Sequence, residues 1–310
     1  MGVLTLDRPQ ALNALTTPMI AAIRAVLEAW REEPAVHAVL FRSASPRAFC
    51  AGGDVRAVRA AVLAGTPAAV EAFFAAEYAL NLAIATYPKP IVSLLDGLCL
   101  GGGVGLSVHG TVRVATEHAA CAMPETAIAL FPDVGTSYVL PRLPGALGFY
   151  LALTGARMEG ADAVRAGFAT HFVPRARLAD LQAALERDGV AVLAGFAAPP
   201  APFSLAAERP LIDHAFAAAT VPEIRARLEA DGGPFARATL ATLAEKSPSA
   251  LAWSLALLRE GASRTLPQCL EAELALTRTV TRHPDFLEGV RAMVVDKDRA
   301  PQWQAPPAGG

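Results

Sequence analysis

Two glycine-bared turns and two carboxylates are the parts of this chain equipped to do chemistry. The first turn is Phe49-Cys50-Ala51-Gly52-Gly53-Asp54; the second runs from Gly97 and ends in Gly101-Gly102-Gly103. Backbone N–H groups with no Cβ beside them can approach an anion or a developing oxyanion closely. The acids follow the second turn: Glu125 in Met-Pro-Glu-Thr and Asp133 in Phe-Pro-Asp-Val-Gly, each preceded by proline. Most of the gap between them is the apolar run Ala127-Ile128-Ala129-Leu130-Phe131. Poorly solvated carboxyls shift upward in pKa, toward values useful for proton transfer. Together these groups fit oxyanion stabilisation coupled to proton transfer or attack beside a carbonyl. Singly, each has an ordinary structural explanation. A glycine run also serves tight strand–helix packing, and an isolated acid is commonly a solvated loop carboxylate or a helix cap. Glu77, in the helical segment Phe73 to Tyr78, reads by itself as a surface residue.

Competing motifs fail on particular residues. Leu106 stands where a dinucleotide-binding G-x-G-x-x-G needs its last glycine, and no Gly-Lys-Ser/Thr follows. Gly105-Leu106-Ser107-Val108-His109 misses the nucleophile elbow by its final residue, and a serine and histidine two apart on a helix point to different faces. Six isolated histidines without an H-E-x-x-H give no metal-ligand spacing, so no metal is expected. Cys50, Cys99, Cys121 and Cys269 are scattered without paired spacing, which fits free thiols better than a disulfide framework.

The elements that must position these groups alternate. Val3 to Leu6, Val36 to Phe41, Ile91 to Leu95, Val112 to Ala115 and Ala120 to Met123 read as strands. Pro18 onward, Ala57 to Leu63 and Val70 to Thr86 read as helices, with another starting at the three-glycine run. Such alternation through residue 173 implies an α/β fold. Beyond about residue 176 the pattern is Ala- and Leu-rich helix, cut by Pro199-Pro200, Gly232-Gly233-Pro234 and Ser247-Pro248. Residues 196–204 read as a mobile connector and the tail after Pro301 as frayed. With 310 residues, 53% hydrophobic and 18% charged, the chain can bury a large core. A formal net charge of −2 gives no electrostatic case for nucleic acid or an anionic membrane as partner. Apolar runs that stop short of a membrane span, and no leader ahead of the first strand, lead to the expectation of a soluble, cytoplasmic protein.

On these motifs the chain resembles the crotonase (enoyl-CoA hydratase/isomerase) superfamily. Ala48 to Asp54 is similar to its first oxyanion-hole turn and Gly97 to Gly103 to its second. Within it the similarity is greatest to the branch that hydrolyses 3-hydroxyisobutyryl-CoA. That similarity is carried by Leu6 to Leu15, Gly101 to Gly110, Met123 to Gly135, Leu153-Thr154-Gly155 and Ala166 to His171. Arg259 to Ser263 and Asp285 to Ala292 extend it into the helical part. The resemblance implies a spiral of ββα repeats over residues 1–195 with a C-terminal helical region over 196–310. It implies that the N–H groups of Gly53 and Gly102 hold a thioester oxygen. Glu125 would be nucleophile or base, Asp133 the second catalytic carboxylate, and Glu77 would line the acyl pocket; substrate-binding residues are thus Glu77, Gly102, Glu125 and Asp133.

The implied reaction is hydrolysis of a short 3-hydroxyacyl-CoA in valine catabolism, with coenzyme A as part of the substrate and no further cofactor. A homo-oligomer, trimer or smaller, is also implied. Hydratases of the superfamily use two glutamates, and the first falls at Gly105, which cannot move a proton; the second is retained as Glu125. An isomerase needs only one base, so isomerisation is the alternative enzymatic reading. A non-catalytic acyl-CoA-binding scaffold is the other, against which stands the retention of both acids. Two departures accompany the resemblance. Thr136-Ser137 stands where more glycine is usual, and the sequence opens on what resembles the second strand of the usual first hairpin, which would leave a sheet edge unpaired.

Overall fold

A computed structural model describes residues 1–304. Among the described residues nine strands form two sheets: β1 (Gly2–Leu6), β2 (Val39–Ser43), β3 (Ala48–Cys50), β4 (Ile91–Leu95), β5 (Leu98–Leu100), β6 (Val112–Ala115), β7 (Ala120–Ala122), β8 (Met158–Glu159) and β9 (His171–Phe172). The five-stranded sheet runs β1-β2-β4-β6-β9, all pairs parallel; the four-stranded sheet runs β3-β5-β7-β8, with β8 antiparallel. Each of the pairs β2–β3, β4–β5 and β6–β7 therefore gives a longer strand to one sheet and a three-residue strand to the other. The repeat is a tight bend between two parallel ladders, and Gly97 (φ +85°) makes one such bend between β4 and β5. Parallel ladders need both faces covered, and Leu40, Val92, Leu94, Val112 and Val114 pack with Leu181, Leu185 and Leu193 in one core. β1 and β3 lie at the edges of their sheets.

Contacts group the described residues into two compact units that do not divide at residue 195. One comprises 1–53, 76–122 and 157–204 and holds both sheets; the other comprises 54–75, 123–156 and the chain from 205 onward. Residues 54–75 and 123–156, expected within the spiral, thus cluster with the C-terminal helices. The second unit is helical, including Arg209–Phe216, Val221–Asp231, Pro234–Ala244, Pro248–Gly261, Leu266–Val280 and Pro284–Val290. Its starts are legible in the sequence: Thr220 and Thr265 close capping boxes with Glu223 and Gln268, and Ser247 caps through its hydroxyl, each followed by a proline in the first turn.

Several expectations need correction. The second strand is Val39–Ser43, because Val36 donates to the Glu33 carbonyl in a turn first. β3 and β5 are too short to give a periodic signal. The connector at 196–204 is tied down: Arg165 donates to the carbonyls of Pro200 and Ala201, and Asp162 accepts from the Ser204 amide. The helix Pro67–Ala85 is 19 residues long and by length and composition apolar enough to cross a membrane, contrary to the reading that apolar runs stay short. Its buried Val70, Phe73, Phe74, Leu80 and Ile84 are those of a core helix. The end of the tail expected to fray, from residue 305, lies outside the described residues; before it, Trp303 donates to the Glu245 carbonyl.

One packing constraint is directly testable. A Cβ on Gly103 would collide with the carbonyl oxygen of Cys50, so the helix Gly102–Val108 packs against β3 only through bare backbone. Gly103→Ala should lower stability by about 1–3 kcal/mol in a denaturant titration. Gly195→Ala, which meets nothing within 4 Å, serves as the neutral control; equal midpoints for the two variants would contradict this packing.

Candidate active site

In the sheet-bearing unit the two glycine turns meet. A Cβ built on Gly102 would stand 3.2 Å from the Gly53 amide nitrogen and would overlap Glu77 Oε1. Gly52 (φ +107°) lies against the Leu100 carbonyl, and Gly101 takes φ +48°, ψ −117° before the helix begins at Gly102. Both turns are braced from behind. Asn13, fully buried with φ +59°, donates through Nδ2 to the Phe49 carbonyl (2.9 Å) and Ser43 Oγ (2.7 Å), while its Oδ1 accepts from the Arg8 amide (2.8 Å). Leu15 donates to the Gly52 carbonyl and Ala51 to that of Leu12. The Leu6 to Leu15 motif is therefore a cradle for the first turn. The second turn is fixed by the Gly101 amide on the Ala122 carbonyl. Ser107, the serine of the near-miss elbow, is buried and bonds back to the Gly103 and Val104 carbonyls.

Glu77 corrects the surface reading. It is 2% exposed, on the inner face of Pro67–Ala85 beside Gly102. Gly53, Glu77 and Gly102 are thus brought together within one unit, and the substitution that most disturbs their meeting is any side chain at Gly102.

Glu125 and Asp133 belong to the helical unit, and both are buried, 6% and 4% exposed. Glu125 opens a 3-10 turn, Glu125–Ile128, which ends in left-handed Ala129. Thr126 bonds to the Leu153 carbonyl (3.3 Å), and Gly155 (φ +68°) lies against the backbone of Met123 and Pro124. From below, a Cβ on Gly289 would stand 2.7 Å from the Ile128 backbone, so Pro284–Val290 also approaches this turn through glycine. Asp133 begins a turn in which both central residues are left-handed, Val134 (φ +53°) and Gly135 (φ +78°, ψ 9°), closed by the Thr136 amide on the Asp133 carbonyl (2.9 Å). That is the geometry of a type I′ turn. For β-branched Val134 it costs roughly 1–2 kcal/mol, so surrounding structure must hold it.

Glu273, which sequence reasoning did not single out, does so. It lies on Leu266–Val280, is fully buried, and accepts from the Gly135 amide (2.8 Å), the Ser137 amide (3.2 Å) and the Ser137 hydroxyl (2.5 Å). Thr136 and Ser137, the departures from the glycine pattern, thus turn their hydroxyls inward, Thr136 onto the Asp133 carbonyl (2.8 Å). A signal was available: Cys269, Glu273, Thr277 and Val280 form the buried stripe of that helix, and a carboxylate on such a stripe needs partners. Burial, and next the neighbouring Asp133, push the Glu273 carboxyl up to about 8. All four cysteines are free thiols and buried. Among the described residues no group of three His, Cys, Asp or Glu could hold a metal ion.

The family model described as "Enoyl-CoA hydratase/isomerase" matches residues 1–308. The chain is 46% identical to 3-hydroxyisobutyryl-CoA hydrolase, mitochondrial, of Xenopus laevis, over 98% of this chain and 82% of the relative. It is 45% identical to the human protein of the same name, over 98% and 81%. Among solved structures, one named as a carnitinyl-CoA dehydratase from Mycobacterium thermoresistibile superposes with TM-score 0.93 at 41% identity, covering 97% of this chain and 88% of that one. Another, named as an enoyl-CoA hydratase from Rhodobacter sphaeroides, gives TM-score 0.90 at 45% identity, covering 98% and 89%. The crotonase-like α/β fold with its C-terminal helical region is thereby established. The cytoplasmic expectation is overturned, because the frog and human relatives are named mitochondrial.

The Glu273 carboxyl gives stability a pH dependence of known sign. The folded chain binds this proton more tightly than the unfolded chain, whose carboxyl titrates near 4.5. Its contribution is complete below about pH 4.5 and is lost as the pH rises through about 8. Asp133 and the Cys269 thiol are the titratable groups that interact with it. Denaturant titrations from pH 4.5 to 8.5 should show stability falling with pH, with a shallower fall in Glu273→Gln; an unchanged slope would place the titration elsewhere.

Proposed function

This chain belongs to the enoyl-CoA hydratase/isomerase family, and from that premise we propose that it hydrolyses 3-hydroxyisobutyryl-CoA. The products are 3-hydroxyisobutyrate and free CoA, a step of valine breakdown. The observation that carries the chemistry is the meeting of the Gly53 amide with Gly102, where a side chain at Gly102 would fill the space. Relatives named as hydrolases at 45–46% identity, alignable over almost the whole chain, select thioester hydrolysis among the reactions such a site allows.

In this reading the N–H groups of Gly53 and Gly102 donate to the thioester oxygen as it gains negative charge. A single such donor contributes about 2.7–4 kcal/mol elsewhere. Glu125 either takes a proton from the attacking water or attacks the carbonyl carbon itself, forming an anhydride that water then opens. On both routes the C–S bond breaks, the sulfur leaves as thiolate and takes up a proton, and water supplies the carboxylate oxygen. Asp133 is the second carboxylate, and Glu77 lines the acyl end. Coenzyme A enters as part of the substrate, and these side chains need no other cofactor for the steps described.

Double-bond chemistry is the second reading, favoured by the names of the two solved structures. Gly105 stands against hydration, because it puts no carboxylate where the hydratases' first glutamate is expected; isomerisation through Glu125 alone survives that objection. Purified protein should release free thiol rapidly from 3-hydroxyisobutyryl-CoA and leave a 3-enoyl-CoA unshifted. Glu125→Gln should lower turnover by at least about 10²-fold while leaving CoA binding nearly intact. Double-bond migration without thiol release would replace hydrolysis with isomerisation, and wild-type hydrolysis by Glu125→Gln would remove Glu125 from the mechanism.

A further inference from the structure

We propose that Glu273 is a positioning residue for the hydrolysis: its buried carboxyl holds the left-handed turn from which Asp133 projects. The proposal rests on the assignment of Asp133 to the reaction. It begins from a conflict. Val134 is β-branched and left-handed, a conformation the isolated segment would not keep. Such strain persists only where its surroundings over-determine it.

The over-determination comes from 138 residues away in sequence. One carboxyl oxygen of Glu273 accepts from the Gly135 amide, and the other from the amide and hydroxyl of Ser137, so three donors of the turn converge on one side chain. The preceding helix, Pro248–Gly261, reaches the same turn through bare backbone: a Cβ on Gly261, at its end, would collide with the Ser137 carbonyl. Arg142 locks the same corner by donating to the carbonyls of Tyr138, Gly261, Ala262 and Arg264.

The chemistry gives the clamp a second consequence. Burial, and next the neighbouring Asp133, raise the cost of ionising Glu273, so that it keeps a proton near neutral pH. A carboxyl that served only to fill the core would have no reason to stand against a second acid; an apolar residue would cost less there.

Glu273→Gln keeps the shape but places an amide N–H₂ where one oxygen accepted hydrogen bonds. Its kcat for 3-hydroxyisobutyryl-CoA should fall about 10²-fold, as for a misplaced catalytic group, with KM within about threefold of wild type and binding of free CoA unchanged. In the Asp133→Asn background the same substitution should add no further loss, because the group it positions is already disabled. A purely structural role predicts the opposite, an equal loss in both backgrounds. Ser137→Ala, which removes only the hydroxyl donor, should give a smaller loss of the same kind and decides the matter if Glu273→Gln does not fold. Wild-type kinetics in Glu273→Gln with Asp133→Asn inactive would overturn the proposal alone. Wild-type turnover by Asp133→Asn would overturn it together with the assignment of Asp133.

Discussion

Backbone meeting backbone without an intervening Cβ is the constraint on which the rest of this structure depends. Gly103 lies on the Cys50 carbonyl and Gly97 on the Arg47 backbone in the sheet-bearing unit; Gly261 lies on Ser137 and Gly289 on Ile128 in the helical one. Each approach brings an element closer than any side chain would allow; Gly103 adjoins Gly102, and Gly289 lies on the turn that Glu125 opens. The glycines therefore carry more information about the site than the acids do. An acid can be replaced by its amide with little change of shape, whereas a methyl group at Gly103 or Gly261 moves a whole element.

That explains which parts of the molecule were legible in the sequence. The two turns, Glu125 and Asp133 stood out because glycine clusters and acids in apolar runs are local signals. So did the capped helices of the C-terminal part. The strands β3 and β5 were not legible, because three residues cannot show an alternation. Glu77 was misread in isolation because a single carboxylate on an apolar helix says nothing about which face it occupies; only the resemblance gave it a pocket role. Glu273 was missed for a different reason. Its partners Gly135 and Ser137 lie 136 to 138 residues away, and hydrogen bonds at that separation leave no local trace.

Some motifs that the resemblance marked without explaining now have physical roles. Leu6 to Leu15 supplies Asn13, whose side-chain amide ties together the Phe49 carbonyl, Ser43 and the Arg8 amide. Arg259 to Ser263 contains Gly261, the close approach to Ser137, and Asp285 to Ala292 contains Gly289, the close approach to Ile128. Asp285 itself is buried and accepts from Ser247 Oγ (2.7 Å), joining the start of one C-terminal helix to the start of another.

The grouping of residues 123–156 with the C-terminal helices changes what those helices are for. In a division at residue 195 the acids belong to the spiral and the helices are an addition. Here the segment bearing Glu125 and Asp133 packs within the helical unit, contacted by Pro284–Val290 near one acid and clamped from Leu266–Val280 after the other. Two carboxyls buried to this degree need surroundings that fix their hydrogen bonds and exclude water. A 3-10 turn followed by a strained type I′ turn cannot supply that alone. The helical region is then the support of the acids, as the sheets and the Asn13 cradle are the support of the glycine turns.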